Sequence, residues 1–236
     1  MRYSIIILLF LMVASCKSYN DNMIKIIFLH HSTGYNVWLG NTNKYVSKLT
    51  GKCDVKTHII KHNRRNKTNY IIEEHFFPKS APYGWNNYPY DYYNIWVRNS
   101  GTEPYLEEPT LEMLSSEYDV IIFKHCFPVS KISQDSGQPD INSPVKSLEN
   151  YKLQYQALKN KMHQFPDNKF IIWTPAVNTS SLMSEDEAMR TKEFYNWIKN
   201  VWDEKGDNIF IWDFYNYETE GGLYLTEKNA KAPDNS

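Results

Sequence analysis

Five short runs of apolar and β-branched residues constrain the fold of this 236-residue chain more than any other feature of its sequence. They occupy residues 24–29, 55–60, 120–123, 170–173 and 209–212. Strands that are covered on both faces read as nearly continuous apolar runs, although the second run alternates more than the others. Because helical segments separate the runs, the sequence predicts an α/β sandwich of three layers with five mainly parallel strands.

Two of the connecting segments have a clear helical pattern. Apolar residues lie three or four positions apart over residues 148–165, which gives one apolar stripe, and a proline follows directly. The second helix is predicted to begin at Ser184, which can form a capping box with Glu187, and to stop at Gly206. A weaker helix is predicted over residues 36–49.

The first residues predict a secreted, lipid-anchored protein. Residues 5–13 form an apolar run of nine residues, which suits a signal peptide because a bilayer span needs about 20 residues. The sequence Val-Ala-Ser-Cys, which ends at Cys16, resembles the lipobox of bacterial lipoproteins. The alternative is an ordinary signal peptide cut near Ala14. In the lipoprotein interpretation, residues 1–15 are the signal peptide, 16–23 are a tether, and acyl chains on Cys16 anchor the protein to a membrane of the cell envelope.

Charge and cysteine content exclude some classes of protein. The chain carries 26 Lys and Arg against 27 Asp and Glu, so no basic field is predicted that would attract nucleic acid. Residues 24–236 suit one α/β domain. Cys53 and Cys126 could form a disulfide in an oxidising compartment, or each could be a buried thiol. No cysteine or histidine spacing suggests zinc, and no cofactor is predicted.

An aromatic insertion over residues 66–116, approximately, interrupts the pattern of strands and helices. Seven tyrosines and tryptophans fall within the 14 residues from Tyr83 to Trp96, and five prolines surround them. Long structured insertions are often functional. The rings could stack on sugars or cover an acyl pocket, with Trp85 and Trp96 as candidate substrate contacts. Alternatively, they pack the insertion onto the sheet.

Residues with reactive side chains directly follow several predicted strands. In an open parallel sheet, ligands bind beyond the carboxyl ends of the strands. Ser32 also precedes a predicted helix, near whose N-terminus an oxyanion can be stabilised. A serine nucleophile needs a base, and the base needs an orienting carboxylate. The residues that follow the strands are His30, His31, Ser32, Lys124, His125, Cys126, Thr174 and Asp213.

Residues 28–34, Phe-Leu-His-His-Ser-Thr-Gly, place a serine directly after the first strand and so resemble the Gly-Asp-Ser block of the SGNH/GDSL hydrolase family. The resemblance maps Ser32 onto the nucleophile and implies a flavodoxin-like sandwich with strand order 2-1-3-4-5. Residues 97–101 resemble the second block, whose glycine donates a backbone N–H to the oxyanion, so Gly101 is a candidate. Residues 155–177 resemble the family's helix, proline turn and fourth strand.

The chain departs from the family's pattern in three places. His31 stands where the family has aspartate before the serine. His125 and Cys126 stand in the third block, where His125 could donate to the oxyanion in place of an asparagine. The last block, Asp-x-x-His, maps Asp234 onto the triad carboxylate, and its histidine would fall at position 237, one residue beyond the sequence. As the sequence stands, His30, His31 or His125 would have to replace that base.

The leading hypothesis is an esterase of the cell envelope that removes acyl groups, with acetyl groups of a glycan as one substrate class. Ser32 would attack the ester, the N–H groups of Ser32 and Gly101 would hold the oxyanion, and Asp234 would orient the missing histidine. His31 is a further candidate substrate contact. Without that histidine, we expect the 236-residue form to be nearly inactive.

Two other hypotheses belong to different classes. A non-catalytic surface lipoprotein would bind glycans through Trp85 and Trp96, and the altered third block favours this alternative. A metal-dependent hydrolase would use His30, His31 and His125 together.

Overall fold

The computed structural model describes residues 23–79, 81–84 and 86–230, and its centre is a five-stranded, all-parallel sheet in the order 2-1-3-4-5. This confirms the predicted fold class and strand order. The proposed signal peptide and almost all of the proposed tether lie outside the described residues. The strands are β1 (Ile24–His30), β2 (Tyr70–Phe76), β3 (Val120–Phe123), β4 (Lys169–Trp173) and β5 (Ile209–Trp212).

Helices connect the strands and cover both faces of the sheet. Two of them, the fourth and the seventh, continue into π-helical turns at Asn94–Arg98 and Ile198–Trp202. The helices are α1 (Thr33–Leu39), α2 (Lys44–Thr50), α3 (Asp54–Asn66), α4 (Pro89–Tyr93), α5 (Leu111–Glu117), α6 (Leu148–Met162), α7 (Glu185–Trp197), α8 (Phe214–Thr219) and α9 (Glu227–Ala230).

The sheet separates two apolar cores. Leu29 and Phe123 belong to the larger core, which includes side chains of α4 to α7. Phe28 and Trp173 belong to the smaller core, which includes side chains of α1 and α8. Successive residues of a strand point to opposite faces, so Phe28 and Leu29 enter different cores. The same alternation decides which residues beyond the strand ends share a layer with the serine turn.

One predicted strand is wrong. Residues 55–60 lie inside α3, and the second strand is instead β2, within the segment predicted to be an insertion. The Cys53 thiol caps α3 by accepting the N–H of Lys56 at 3.4 Å. Val55 and Ile59 lie one helical turn apart, so both pack against the smaller core. The insertion therefore begins after residue 76, and β2 forms the sheet edge beside β1.

The other helix predictions agree better with the structure. α6 covers most of the predicted stripe, and the capping box of Ser184 and Glu187 opens α7. The weaker helix over residues 36–49 is divided into α1 and α2 at Gly40, where φ is +58°. A Cβ at Gly40 would lie 2.6 Å from the Cβ of Asp54, so the close approach of α3 requires glycine there.

The aromatic residues of the insertion pack onto the sheet. Tyr88, Tyr92 and Trp96 are buried in the larger core, and Trp96 is 0% exposed. The Trp96 ring lies 5.1 Å from the ring of Phe123, and its indole N–H donates to the carbonyl of Pro109 at 3.2 Å. The structure thus favours the packing alternative, and the Trp96 face is not available to stack on a sugar.

Cysteines and membrane spans complete the description of the fold. Cys53 and Cys126 are both buried free thiols, which agrees with the second alternative for this pair. Among residues 23–79, 81–84 and 86–230, no helix has the length and apolar character needed to cross a bilayer.

Candidate active site

The turn after β1 exposes Ser32 at the carboxyl edge of the sheet, directly before α1. Its backbone has φ 44° and ψ −109°, a combination that residues other than glycine rarely adopt. Such a conformation costs of order 1–3 kcal/mol and persists only where the surrounding structure holds it, as it does at many functional sites. Ser32 is therefore the first candidate for a functional residue.

The close approach of α1 to the sheet holds this turn. A Cβ at Gly34 would lie 2.4 Å from the Cβ of His30 and 3.0 Å from the Cδ of Lys124. The Gly34 N–H donates to the carbonyl of His31 at 2.9 Å. Only glycine leaves room for the first turn of α1 against His30 and Lys124, so Gly34 fixes where Ser32 lies.

His30 supports the turn from below. It is fully buried, and its Nε2 lies 2.9 Å from a carboxylate oxygen of Glu74 on β2. Burial lowers the pKa of His30, although Glu74 acts in the opposite direction. A neutral ring donates Nε2–H to Glu74, so His30 links β1 to β2 beneath α1.

His31 is adjacent to Ser32 in the chain, but its side chain is engaged elsewhere. Its half-buried ring packs 5.6 Å from the ring of Phe76, and Nε2 donates to the carbonyl of Pro78. Burial lowers the pKa of His31. This side chain joins the serine turn to the segment that follows β2.

Lys124, which follows β3, lies in the layer of α1. It is 1% exposed, and its Nζ lies 3.4 Å from the carbonyl oxygen of His31 and 3.6 Å from the sulfur of Cys126. Sequence reasoning gave this lysine no role. The alternation of side chains along an apolar strand indicates that a lysine at its end points inward, and this pattern could have identified Lys124 as an unusual buried lysine.

Thr174 and Asp213 hold α8 at the same edge of the sheet. The Thr174 hydroxyl accepts the N–H of Tyr215 at 2.7 Å, and the Asp213 side chain caps the helix. α8 thereby buries Glu218, whose carboxylate accepts the N–H of Val177 at 3.1 Å. Burial raises the pKa of Glu218 to about 7, against the effects of that hydrogen bond and of Lys124. Nothing in the sequence pattern distinguished Glu218.

The structure places His125, one of the three predicted oxyanion donors, away from the serine turn. His125 is 1% exposed on the other face of the sheet, with its ring 4.8 Å from that of Tyr92. Burial lowers the pKa of His125 to about 3, and neither ring nitrogen has a partner in the described residues. Gly101, with φ 149°, bonds through its carbonyl to the hydroxyl of Thr110 at the start of α5. His125 is therefore a core residue, which removes the reason for assigning it to the oxyanion.

Three predicted functional residues lie outside the described residues. They are Cys16, Trp85 and Asp234. The segment before α9 is fixed beside the carboxyl end of β4, because the Leu225 N–H donates to the carbonyl of Asn178 at 3.0 Å.

A groove of about 320 Å³ begins one helical turn from Ser32. It is lined by Tyr35 of α1, by Tyr45 of α2 and by Glu74. The N–H of Tyr35 donates to the carbonyl of Ser32 at 2.8 Å, so the groove and the serine turn share a wall. Another cavity, of about 560 Å³, is lined by Asn208 and other residues near the amino ends of the strands, at the opposite edge of the sheet.

The fold and the site define an α/β protein with a strained, exposed serine at the carboxyl end of its first strand. Within the described parts of the chain, no three histidine, cysteine, aspartate or glutamate side chains are grouped so that they could hold a metal ion. Comparisons with protein-family models, with curated proteins and with solved structures find no match. The geometry of the serine turn is therefore the basis for assigning a function.

The first testable prediction concerns the strain at Ser32. We expect the Ser32→Gly variant to have a free energy of unfolding about 0.5–2 kcal/mol above that of Ser32→Ala, because glycine relieves the strain that alanine retains. The greater freedom of unfolded glycine opposes this gain by about 0.5–1 kcal/mol. Urea unfolding of the two variants measures the difference. At exposed, helical Ser116, the same comparison should favour alanine by about 1 kcal/mol. If the alanine variant were also the more stable one at residue 32, the Ser32 backbone would be shown to be unstrained.

The second prediction concerns the close approach at Gly34. Alanine has the higher helix propensity, by about 1 kcal/mol, but its methyl group would collide with His30. We expect Gly34→Ala to lower the free energy of unfolding by about 1–3 kcal/mol, the usual effect of overpacking. The control is Asn36→Ala, at an exposed position of the same helix, where denaturant unfolding should give a change of less than about 0.5 kcal/mol. A Gly34→Ala protein with a higher free energy of unfolding than the unaltered protein would contradict the close approach of Gly34 to His30.

Proposed function

We propose that this protein is a serine ester hydrolase with Ser32 as its nucleophile. The observation that carries the proposal is the position of Ser32, which is exposed at the carboxyl end of β1 and held at a strained positive φ. Ligands of open parallel sheets bind at this edge, and a strained strand-to-helix turn is a known way to present a nucleophilic serine. The resemblance of residues 28–34 to the SGNH/GDSL serine block supports the same assignment.

The proposed chemistry begins with attack of the Ser32 hydroxyl on an ester carbonyl. The oxyanion that forms needs hydrogen-bond donors aimed at it. The Ser32 N–H is a suitable donor, since within the described parts of the chain it donates to no other group. Loss of the alcohol would leave an acyl-serine, which water would then hydrolyse to restore the hydroxyl.

The groove beside Tyr35 supports an ester of a glycan as the substrate class. Tyr35 and Tyr45 line it, and tyrosine rings can pack against sugar rings, while Lys44, Lys48 and Lys56 make it basic. We propose that an acyl group, such as acetyl, lies at Ser32 while the sugar occupies this groove. On sequence grounds we also propose that acyl chains at Cys16 anchor the protein in the cell envelope.

Glycan binding without catalysis is not favoured by any contact described above. That alternative assigned stacking roles to Trp85 and Trp96. Trp96 is enclosed by Phe77, Tyr92 and Phe123 in the larger core, so its substitution would disturb folding before it affected a ligand.

The third prediction tests Ser32 directly. We expect a fluorophosphonate probe to label the full chain at Ser32, because its phosphorus accepts an activated serine oxygen and releases fluoride. Ser32→Ala should lose at least about 99% of the labelling, since deleting an activated nucleophile typically costs several orders of magnitude. Gel fluorescence and peptide mass spectrometry measure the extent and the site.

The matched control is Ser116→Ala, which removes an exposed hydroxyl on α5 that donates to the carbonyl of Met113. It should be labelled like the unaltered protein. Labelling that persists in Ser32→Ala, or mass spectra that place the phosphonyl group on another residue, would remove the assignment of Ser32.

A further inference from the structure

Lys124 is a buried lysine whose ammonium would have no carboxylate partner. Its side chain is 1% exposed, and no carboxylate oxygen within the described parts of the chain lies within 4.0 Å of its Nζ. Its neighbours are the carbonyl of His31 at 3.4 Å, the thiol of Cys126 at 3.6 Å and the ring of Trp173 at 6.0 Å. None of these groups is a carboxylate, the usual partner of a buried ammonium.

Two other buried lysines are paired with carboxylates. Lys159 and Lys161 are each 8% exposed. The Nζ of Lys159 lies 2.9 Å from a carboxylate oxygen of Glu204, and Lys161 pairs with Glu112. Both pairs reach the surface on the far side of the sheet. Lys124 differs from both because it is more deeply buried and unpaired.

The surroundings of Lys124 favour a neutral amine. Burial lowers its pKa below the ordinary value of 10.5, while Cys126 and Glu218 act in the opposite direction. Glu218 is itself buried, with a pKa raised to about 7, so near neutral pH it is protonated part of the time and then gives the ammonium no support. An amine that loses its proton in an apolar site can accept one from a neighbouring group.

Three histidines also lie near Lys124 and add no negative charge, although His125 is on the other face of the sheet. They are His30 at the end of β1, His31 in the serine turn and His125 after β3. Burial lowers the pKa of all three, and a positive charge on Lys124 would lower each further. At neutral pH these rings are uncharged, so they neither attract nor strongly repel a proton on Lys124.

The position of Lys124 relative to Ser32 follows from two contacts. Its Cδ lies within 3.0 Å of the place where a Cβ of Gly34 would be, so its methylene chain runs along the first turn of α1. Its Nζ reaches the carbonyl of His31, the residue before Ser32. The side chain thus lies against the turn that carries Ser32, and no hydrogen bond joins its Nζ to Ser32 Oγ in the described parts of the chain.

We propose that Lys124 is the general base that activates Ser32. This inference rests on the proposed ester hydrolase function, and it replaces the expectations that the base is a histidine at position 237 and that the 236-residue form is nearly inactive. As Ser32 Oγ bonds to the ester carbonyl carbon, the Oγ proton passes to the neutral amine of Lys124 and the carbonyl electron pair moves onto oxygen. When the tetrahedral intermediate collapses, the ester C–O bond breaks and the leaving alkoxide takes the proton from Lys124. The amine then accepts a proton from the water that attacks the acyl-serine, and returns it to Ser32 as the acid leaves.

The fourth prediction is tested by the rate at which a fluorophosphonate labels the full chain as a function of pH. We expect the rate for the unaltered protein to rise as Lys124 loses its proton, and to level off below pH 10.5. Lys124→Met should be labelled roughly 100-fold or more slowly per folded molecule, which is the usual effect of losing a general base. Its labelling rate should also no longer increase with pH in the same range. Lys124→Arg should be similarly slow because a guanidinium is not deprotonated.

The control variant is Lys159→Met, which removes a buried lysine far from Ser32 and should leave the rate per folded molecule unchanged. If both proteins were labelled at Ser32 and the rate for Lys124→Met lay within threefold of that for the unaltered protein, the role of Lys124 would be overturned. The proposed serine hydrolase function would not be affected by that result. Absence of labelling at Ser32 in the unaltered protein would overturn the proposed function and this role with it.

A second measurement tests the state of the amine independently of catalysis. Because the pKa of Lys124 is lower in the folded chain than in the unfolded chain, the unfolded chain binds more protons between those two pH values. The ratio of folded to unfolded protein should therefore rise with pH relative to Lys124→Met, by up to tenfold per pH unit in that window. A difference between the two proteins that stays constant up to pH 10 would show that Lys124 remains charged, and would overturn the proposal.

Discussion

The close packing of α1 against the end of β1 is the contact on which the site depends. At Gly34 the backbone of α1 lies so near the end of β1 that a single methyl group would collide with His30 and press against Lys124. The same approach closes the side chain of Lys124 off from water and bends the chain at Ser32 into its strained conformation. The absence of a side chain at Gly34 therefore sets the position of Ser32, the proposed nucleophile, and the environment of the Lys124 amine.

Each of these local features is unfavourable by itself. A strained non-glycine residue costs of order 1–3 kcal/mol, and a buried amine without a carboxylate gives up the hydration of its charged form. The two apolar cores on either side of the sheet supply the stability that such a site requires. The aromatic insertion belongs to this support, because Tyr92 and Trp96 fill the larger core next to Phe123, one residue before Lys124. We interpret the insertion as a structural element that holds the end of β3.

Four of the five strands and the two strongest helices could be predicted from sequence, because their apolar patterns are set by burial on both faces or along one stripe. β2 could not be predicted, since its Glu73, Glu74 and His75 break the apolar pattern. The apolar residues of α3 instead resemble a strand within a short window, and only the full helix reveals their spacing.

The candidate site was predictable in part. The rule that ligands bind beyond strand ends selected Ser32, and the exposed, strained turn agrees with that choice. His125 and Lys124 are adjacent, yet alternation sends the histidine among rings of the larger core and the lysine towards α1. Sequence gave no means of deciding which face each would occupy, because that depends on the register of β3 between β1 and β4. Glu218 comes to the same edge only through the packing of α8.

The most direct test of the account is a crystal structure of the full chain after reaction with a fluorophosphonate. We expect phosphorus bonded to Ser32 Oγ, a positive φ at Ser32, and the Nζ of Lys124 within hydrogen-bonding distance of that oxygen. A phosphonyl group on another residue, or a Lys124 side chain that extends into solvent away from an unstrained Ser32, would contradict the account.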